Sequence, residues 1–169
     1  MGNDLLPDFP GRLESFEPAS ILAIGPRADA LTAHYRGAHP DCRLSYLDAD
    51  GTLPADKLLE ELAARGRFDF VILRGVLERV DADSGAHLLA RLRDVHTKRF
   101  CLVFDPSNQN HPWHTSALVA MGLTHWSSET IDDAVLELYG FDLGTYKATP
   151  DWLNARHWAH PQHWGKERW

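Results

Sequence analysis

Asp48-Ala49-Asp50-Gly51 places two carboxylates directly behind a short alternating segment, Arg43–Leu47. Carboxylates at the carboxyl end of a strand can grip a polar ligand in an open α/β sheet. The same four residues also make a turn that needs no ligand. Arg27 follows Gly25-Pro26 and can face an anion at the start of a helix, or pair locally with Asp29. Arg74 and Glu78 follow a second apolar run, where they can line a site or pair with each other. Asp105-Pro106-Ser107-Asn108-Gln109-Asn110-His111 follows a third. There Asp105 and His111 are the candidates to position or deprotonate a reacting group, against the reading of a plain polar loop. His111-Pro112-Trp113-His114 and His157-x-x-His160-x-x-His163 invite a metal. Zinc requires a fixed ligand geometry, and Pro161 interrupts any helix that would align the second group, so no metal site is expected.

The elements that must position these residues can be read from the pattern. Residues 1–19 are punctuated by Pro7, Pro10, Gly11 and Pro18, with a short helix at Leu13–Phe16. Ile21–Ile24 is an apolar run stopped by Gly25-Pro26, which predicts a buried strand. A helix is predicted over Ala28–Tyr35, a strand over Arg43–Leu47 and an amphipathic helix over Pro54–Ala64 closed by Gly66. Phe68–Leu73 is the next strand, and Ser84–Val95 the next helix, with Leu88, Leu89, Leu92 and Val95 at helical spacing. Phe100–Phe104 is a strand stopped by Asp105-Pro106, and Thr115–Met121 a helix closed by Gly122. Leu123–Ser127 and Val135–Tyr139 read as a final hairpin, turned by Ser128–Asp133. Strands alternating with helices predict a Rossmann-like, doubly wound α/β fold. Its sheet is mostly parallel, with a C-terminal antiparallel hairpin.

Composition narrows the function. The chain has 169 residues, 44% of them hydrophobic, and a formal net charge of −7. That suits one core-forming domain and disfavours phosphate-backbone binding, so no nucleic-acid partner is expected. No apolar run approaches the roughly 20 residues of a membrane span. The first ten residues carry no leader-like segment, and Gly2 does not begin an acylation signal. Cys42 and Cys101 read as buried free thiols of a cytoplasmic protein.

Phe68-Asp69-Phe70-Val71-Ile72-Leu73-Arg74-Gly75-Val76-Leu77-Glu78-Arg79-Val80 resembles the fourth strand and following turn of class I S-adenosylmethionine (SAM) methyltransferases. The resemblance covers roughly residues 20–142. It implies SAM as cofactor, held by the first loop (Gly25, Arg27, Asp29) with Asp48 on the ribose and Arg74 and Glu78 nearby. It implies Glu78, Arg79, Asp105 and His111 on the acceptor side. Methyl transfer starts from an activated sulfonium, so placement of the acceptor dominates.

The chain departs from the family at the positions that would touch the cofactor. The loop usually reads Gly-x-Gly-x-Gly, because the backbone must approach the ligand with no β-carbon in the way. Here it is Gly25-Pro26-Arg27-Ala28-Asp29, and Pro26 removes a backbone donor. Ala23 replaces an acidic residue of the first strand, Arg79 replaces a histidine, and one strand–helix unit is missing before Phe68. Three readings stay open: a SAM-dependent methyltransferase-like protein of unknown acceptor, a non-catalytic relative acting through a protein partner, and a protein for another nucleotide with Arg27 on a phosphate.

The tail is distinctive. Four of the six tryptophans fall within residues 150–169, after Pro150-Asp151. So aromatic a composition is not the one expected of a disordered tail. It is expected to pack on the domain formed by residues 1–149, or to serve as a partner or self-association surface.

Overall fold

A computed structural model describes residues 9–107, 113–131 and 134–146. Six strands form one sheet in the order β2-β1-β3-β4-β6-β5. They are β1 (Ser20–Ile24), β2 (Arg43–Leu47), β3 (Phe70–Arg74), β4 (Arg99–Phe104), β5 (Thr124–Ile131) and β6 (Ala134–Asp142). The first four pair in parallel, while β6 runs antiparallel to both β4 and β5. The fold is therefore the Rossmann-like, mostly parallel α/β architecture with an antiparallel C-terminal hairpin that the pattern predicts.

The central strands are apolar throughout because helices cover both faces of the sheet. Alternation sorts their side chains. Leu22, Ile24, Val71, Leu73, Leu102 and Phe104 face α3 (Ala55–Arg65), α4 (Ala82–Arg91) and α5 (Thr115–Ala120). Ile21, Ala23, Phe70, Ile72, Cys101 and Val103 face α1 (Phe9–Phe16) and α2 (Ala33–Ala38). Each large side chain so buried contributes roughly 1.5–3 kcal/mol. The helix α4 begins at Asp81, whose carboxylate accepts from the Ser84 N–H at 2.9 Å. These bonds to Ser84 hold its pKa below the ordinary value.

The "Phe-Asp" of the family-like segment has a structural task here. Asp69 Oδ2 accepts from Ala19 N at 3.1 Å and Ser20 N at 3.0 Å. It also accepts from Ser20 Oγ at 3.1 Å, which ties the start of β3 to the start of β1. His96 is 3% exposed and its Nδ1 lies 2.8 Å from the Gly66 carbonyl, so this histidine is internal mortar.

Several boundaries differ from the sequence expectations. The helix expected over Ala28–Tyr35 is a 3-10 turn, Asp29–Thr32, followed by α2. Phe68 stands apart from β3 in an isolated bridge to Thr97. The helix expected to end at Val95 instead closes in a π-helical turn, Leu92–His96. The hairpin is longer than expected: Ser128, Glu129 and Thr130 are strand residues paired with Glu137, Leu136 and Val135. An edge strand with a wet face can be polar, so these residues read as turn without being one. Cys101 is buried, whereas Cys42 is only half-buried; both are free, and burial raises both thiol pKa values. No helix of the described residues is long and apolar enough to cross a membrane.

Candidate functional site

In an open α/β sheet, ligands bind beyond the carboxyl ends of the strands where the order reverses. Here that crevice lies between β1 and β3, because β1 is followed by β2 on one side and β3 on the other. The first loop enters it at Gly25, with φ +94°. A β-carbon on Gly25 would sit 2.0 Å from the Arg74 carbonyl oxygen, so only glycine allows β1 and β3 to end this close together. Arg27, standing where the family has its second glycine, also adopts a positive φ of +60°. The backbone thus keeps a glycine-like shape there with a side chain attached, a conformation costing of order 1 kcal/mol or more. The side chain of Arg27 is exposed, as is that of Asp29.

Pro26 changes what the crevice can hold. Its ring lies between two glycines: a β-carbon on Gly51 would be 3.2 Å from Pro26 Cδ, and one on Gly75 3.0 Å from Pro26 Cγ. The pyrrolidine therefore occupies the gap between the loop after β2 and the turn after β3.

Asp48 lies on the far side of this plug, with its backbone at φ +54°. Asp48 Oδ1 accepts from Thr52 N and Leu53 N, both at 2.9 Å. Its Oδ2 is ion-paired with Arg79 Nη2, and only 1% of the Asp48 side chain is exposed. Arg79 Nη1 donates to the Leu53 carbonyl at 2.6 Å. Desolvation lowers the pKa of Arg79, without threatening its charge near neutrality. The carboxylate thus holds the loop into α3 and binds it to the turn after β3. A ribose diol would need that carboxylate open, and it is not. The residues at this position do not fit an adenosine cofactor.

What remains of the crevice is a cavity of about 290 Å³, lined by Pro26, Arg27, Arg74, Glu78, Asp105 and Leu136 among others. It brings together four of the residues singled out from the sequence, Arg27, Arg74, Glu78 and Asp105. Arg74 Nη1 donates to the Arg27 carbonyl at 3.3 Å, and Glu78 Oε1 accepts from Asp105 N at 3.0 Å. Asp105 Oδ1 accepts from Ser107 N at 2.9 Å and Ser107 Oγ at 2.5 Å. Asp48 and Arg79 are not brought to this cavity. Its volume falls just under the roughly 300–1,000 Å³ of small-molecule pockets. His111, the histidines at 157, 160 and 163, and the Trp-rich tail lie outside the described residues. Among the described residues no cluster of three metal-ligating side chains occurs.

A larger cavity, about 820 Å³, opens between α5 and the β5–β6 hairpin. Three polar residues that the sequence reading passed over meet there. Ser128 Oγ donates to Glu137 Oε2 at 2.8 Å and lies 3.1 Å from His125 Nε2. His125 Nε2 is also bonded to Glu137 Oε2. Nearby, Thr115 Oγ1 and Tyr139 OH are 2.9 Å apart. In a regular strand, residues three apart face opposite sides. The register shifts between His125 and Ser127, and this bulge turns His125 and Ser128 to the same face. Trp126 takes the opposite face, over Gly140, with the Arg12 guanidinium 4.5 Å from its ring. The one sequence signal was the bulky Trp126 amid small polar residues, opposite a Gly140 that leaves it room.

The strand order, the antiparallel last pair and the reversal between β1 and β3 define a Rossmann-like α/β protein. The chain itself belongs to a family of unknown function, DUF6231, whose model matches residues 3–169. No curated protein matches it. Among solved structures it is similar to the pyocyanin biosynthetic protein PhzM, with a TM-score of 0.49 and 17% identity over 79% of this chain and 53% of that one. The chain thus spans about half the length of that protein. It is also similar to a SAM-dependent methyltransferase from Aquifex aeolicus, with a TM-score of 0.49 and 10% identity over 79% of this chain and 88% of that one.

Proposed function

We propose that this protein keeps a methyltransferase-like scaffold, does not bind SAM, and works as a binding protein rather than by methyl transfer. The observation that carries this reading is the state of Asp48. Each of its oxygens is engaged within the fold and its side chain is 1% exposed, so it cannot receive a ribose without breaking the pair to Arg79. Pro26, wedged against Gly51 and Gly75, supports the same reading from the loop side. Opening the site would break the ion pair to Arg79 and the two backbone N–H bonds that Asp48 accepts, a cost taken from any binding energy.

Calorimetric titration of the full chain with SAM and S-adenosylhomocysteine tests it. The expected result is no saturable heat up to about 1 mM ligand, which corresponds to binding weaker than about −4 kcal/mol. Micromolar binding that disappears in Asp48→Asn would overturn the proposal and return the chain to the SAM-dependent class.

A further inference from the structure

We propose that the cavity of about 820 Å³ between α5 and the β5–β6 hairpin is a binding site for a small organic cation, a protonated amine attached to a ring, with Glu137 as its counter-charge. The site is separate from the β1–β3 crevice, and the inference stands whether or not that crevice takes SAM.

Size comes first: the cavity lies within the range that encloses small molecules, unlike the crevice. Charge decides the class of ligand. Among the described residues that line it there is no lysine or arginine to attract a phosphate or carboxylate. Glu137 is the one carboxylate among the described lining residues, and its side chain is 21% exposed. Its Oε2 is held in place by Ser128 and His125, whereas Asp48 is held by an arginine. The apolar share of the lining is aromatic, from Phe104, Trp113 and Tyr139. A carboxylate beside aromatic rings suits a cation that carries a ring of its own. The Ser116 hydroxyl also lines the cavity, beside the Thr115–Tyr139 and Ser128–Glu137 pairs.

The bulge at Trp126 gives the arrangement a structural origin. Without the shift of register, His125 and Ser128 would face opposite sides and could not both reach Glu137. The hairpin is built so that they do.

Titration of the full chain with three probes sharing one ring tests the proposal, read by amide shifts in two-dimensional NMR. The probes are tyramine (cationic), tyrosol (neutral) and 4-hydroxyphenylacetate (anionic). Tyramine is expected to bind at least about tenfold more tightly than tyrosol, with shifts at residues 115, 125, 128 and 137. No saturable shift is expected with 4-hydroxyphenylacetate. In Glu137→Gln the preference for tyramine over tyrosol is expected to vanish. Equal binding of tyramine and tyrosol would overturn the charge assignment in favour of a neutral, hydroxylated ligand. So would stronger binding of the anion, or a preference that survives in Glu137→Gln. Absence of any saturable shift with tyramine would overturn the site. The wild-type series answers the question of charge even if the variant fails to fold.

Discussion

Two carboxylates at the carboxyl-terminal edge of the parallel strands have opposite fates. Asp48 ends β2 and is sealed: a guanidinium and two backbone N–H groups surround it, and 1% of its side chain meets solvent. Glu137, near the start of β6, is held by an imidazole and a hydroxyl and remains 21% exposed on a large cavity. Position in the fold makes both candidates for contact with a ligand. What separates them is the charge and burial of their partners. A carboxylate paired with arginine and closed from water serves the fold, whereas one fixed by an imidazole and a hydroxyl beside open space stays within reach of a ligand.

Breaking the sealed pair should have the largest effect. Arg79→Met leaves the Asp48 carboxylate buried without its cation, and should destabilise the protein by about 3 kcal/mol. A urea melt measures this. The double variant Asp48→Asn/Arg79→Met removes both charges while keeping an acceptor for Thr52 and Leu53, and should recover more than half of the loss. A cost below about 1 kcal/mol for the single variant would mean that Asp48 is not sealed, and the contrast with Glu137 would collapse.

The two regions were unequally legible in the sequence. The crevice could be placed because uninterrupted apolar runs such as Ile21–Ile24 and Phe100–Phe104 mark buried parallel strands, and the polar residues behind them mark carboxyl ends. The partner of Asp48 could not be read, since Arg79 reaches it only through the parallel pairing of β1 with both β2 and β3. Pro26 was visible as a lost donor, but its fit between Gly51 and Gly75 is a tertiary fact. The second region was hidden by its bulge. Reading β5 with a strict period of two puts His125 and Ser128 on different faces, and the polar run from Ser128 onward suggested a turn. The extra residue cancels the first inference, and pairing with β6 cancels the second.

Trp126 tests whether that bulge builds the second region. The indole faces away from the cavity, packing over Gly140, 6.1 Å from the Phe16 ring and 4.5 Å from the Arg12 guanidinium. Trp126→Ala should cost about 2–3 kcal/mol in a urea melt, from lost packing and the lost cation–π contact. It should also weaken tyramine binding, although the side chain never touches the cavity, because the hairpin loses the anchor that holds the shifted register. Unchanged tyramine affinity in a destabilised but folded Trp126→Ala would show that the register holds without its anchor.

The smallest effect should come from Glu137→Gln, and its smallness is the point. The amide keeps an acceptor for Ser128 and a polar partner for His125, and among the described lining residues no arginine or lysine is left without a counter-charge. The variant should therefore change stability by less than about 1 kcal/mol in the same urea melt that registers Arg79→Met strongly. A stability cost equal to that of Arg79→Met would make Glu137 another structural carboxylate. A small cost combined with lost discrimination between tyramine and tyrosol separates the roles: the same carboxylate chemistry locks the fold at β2 and remains available for recognition at β6.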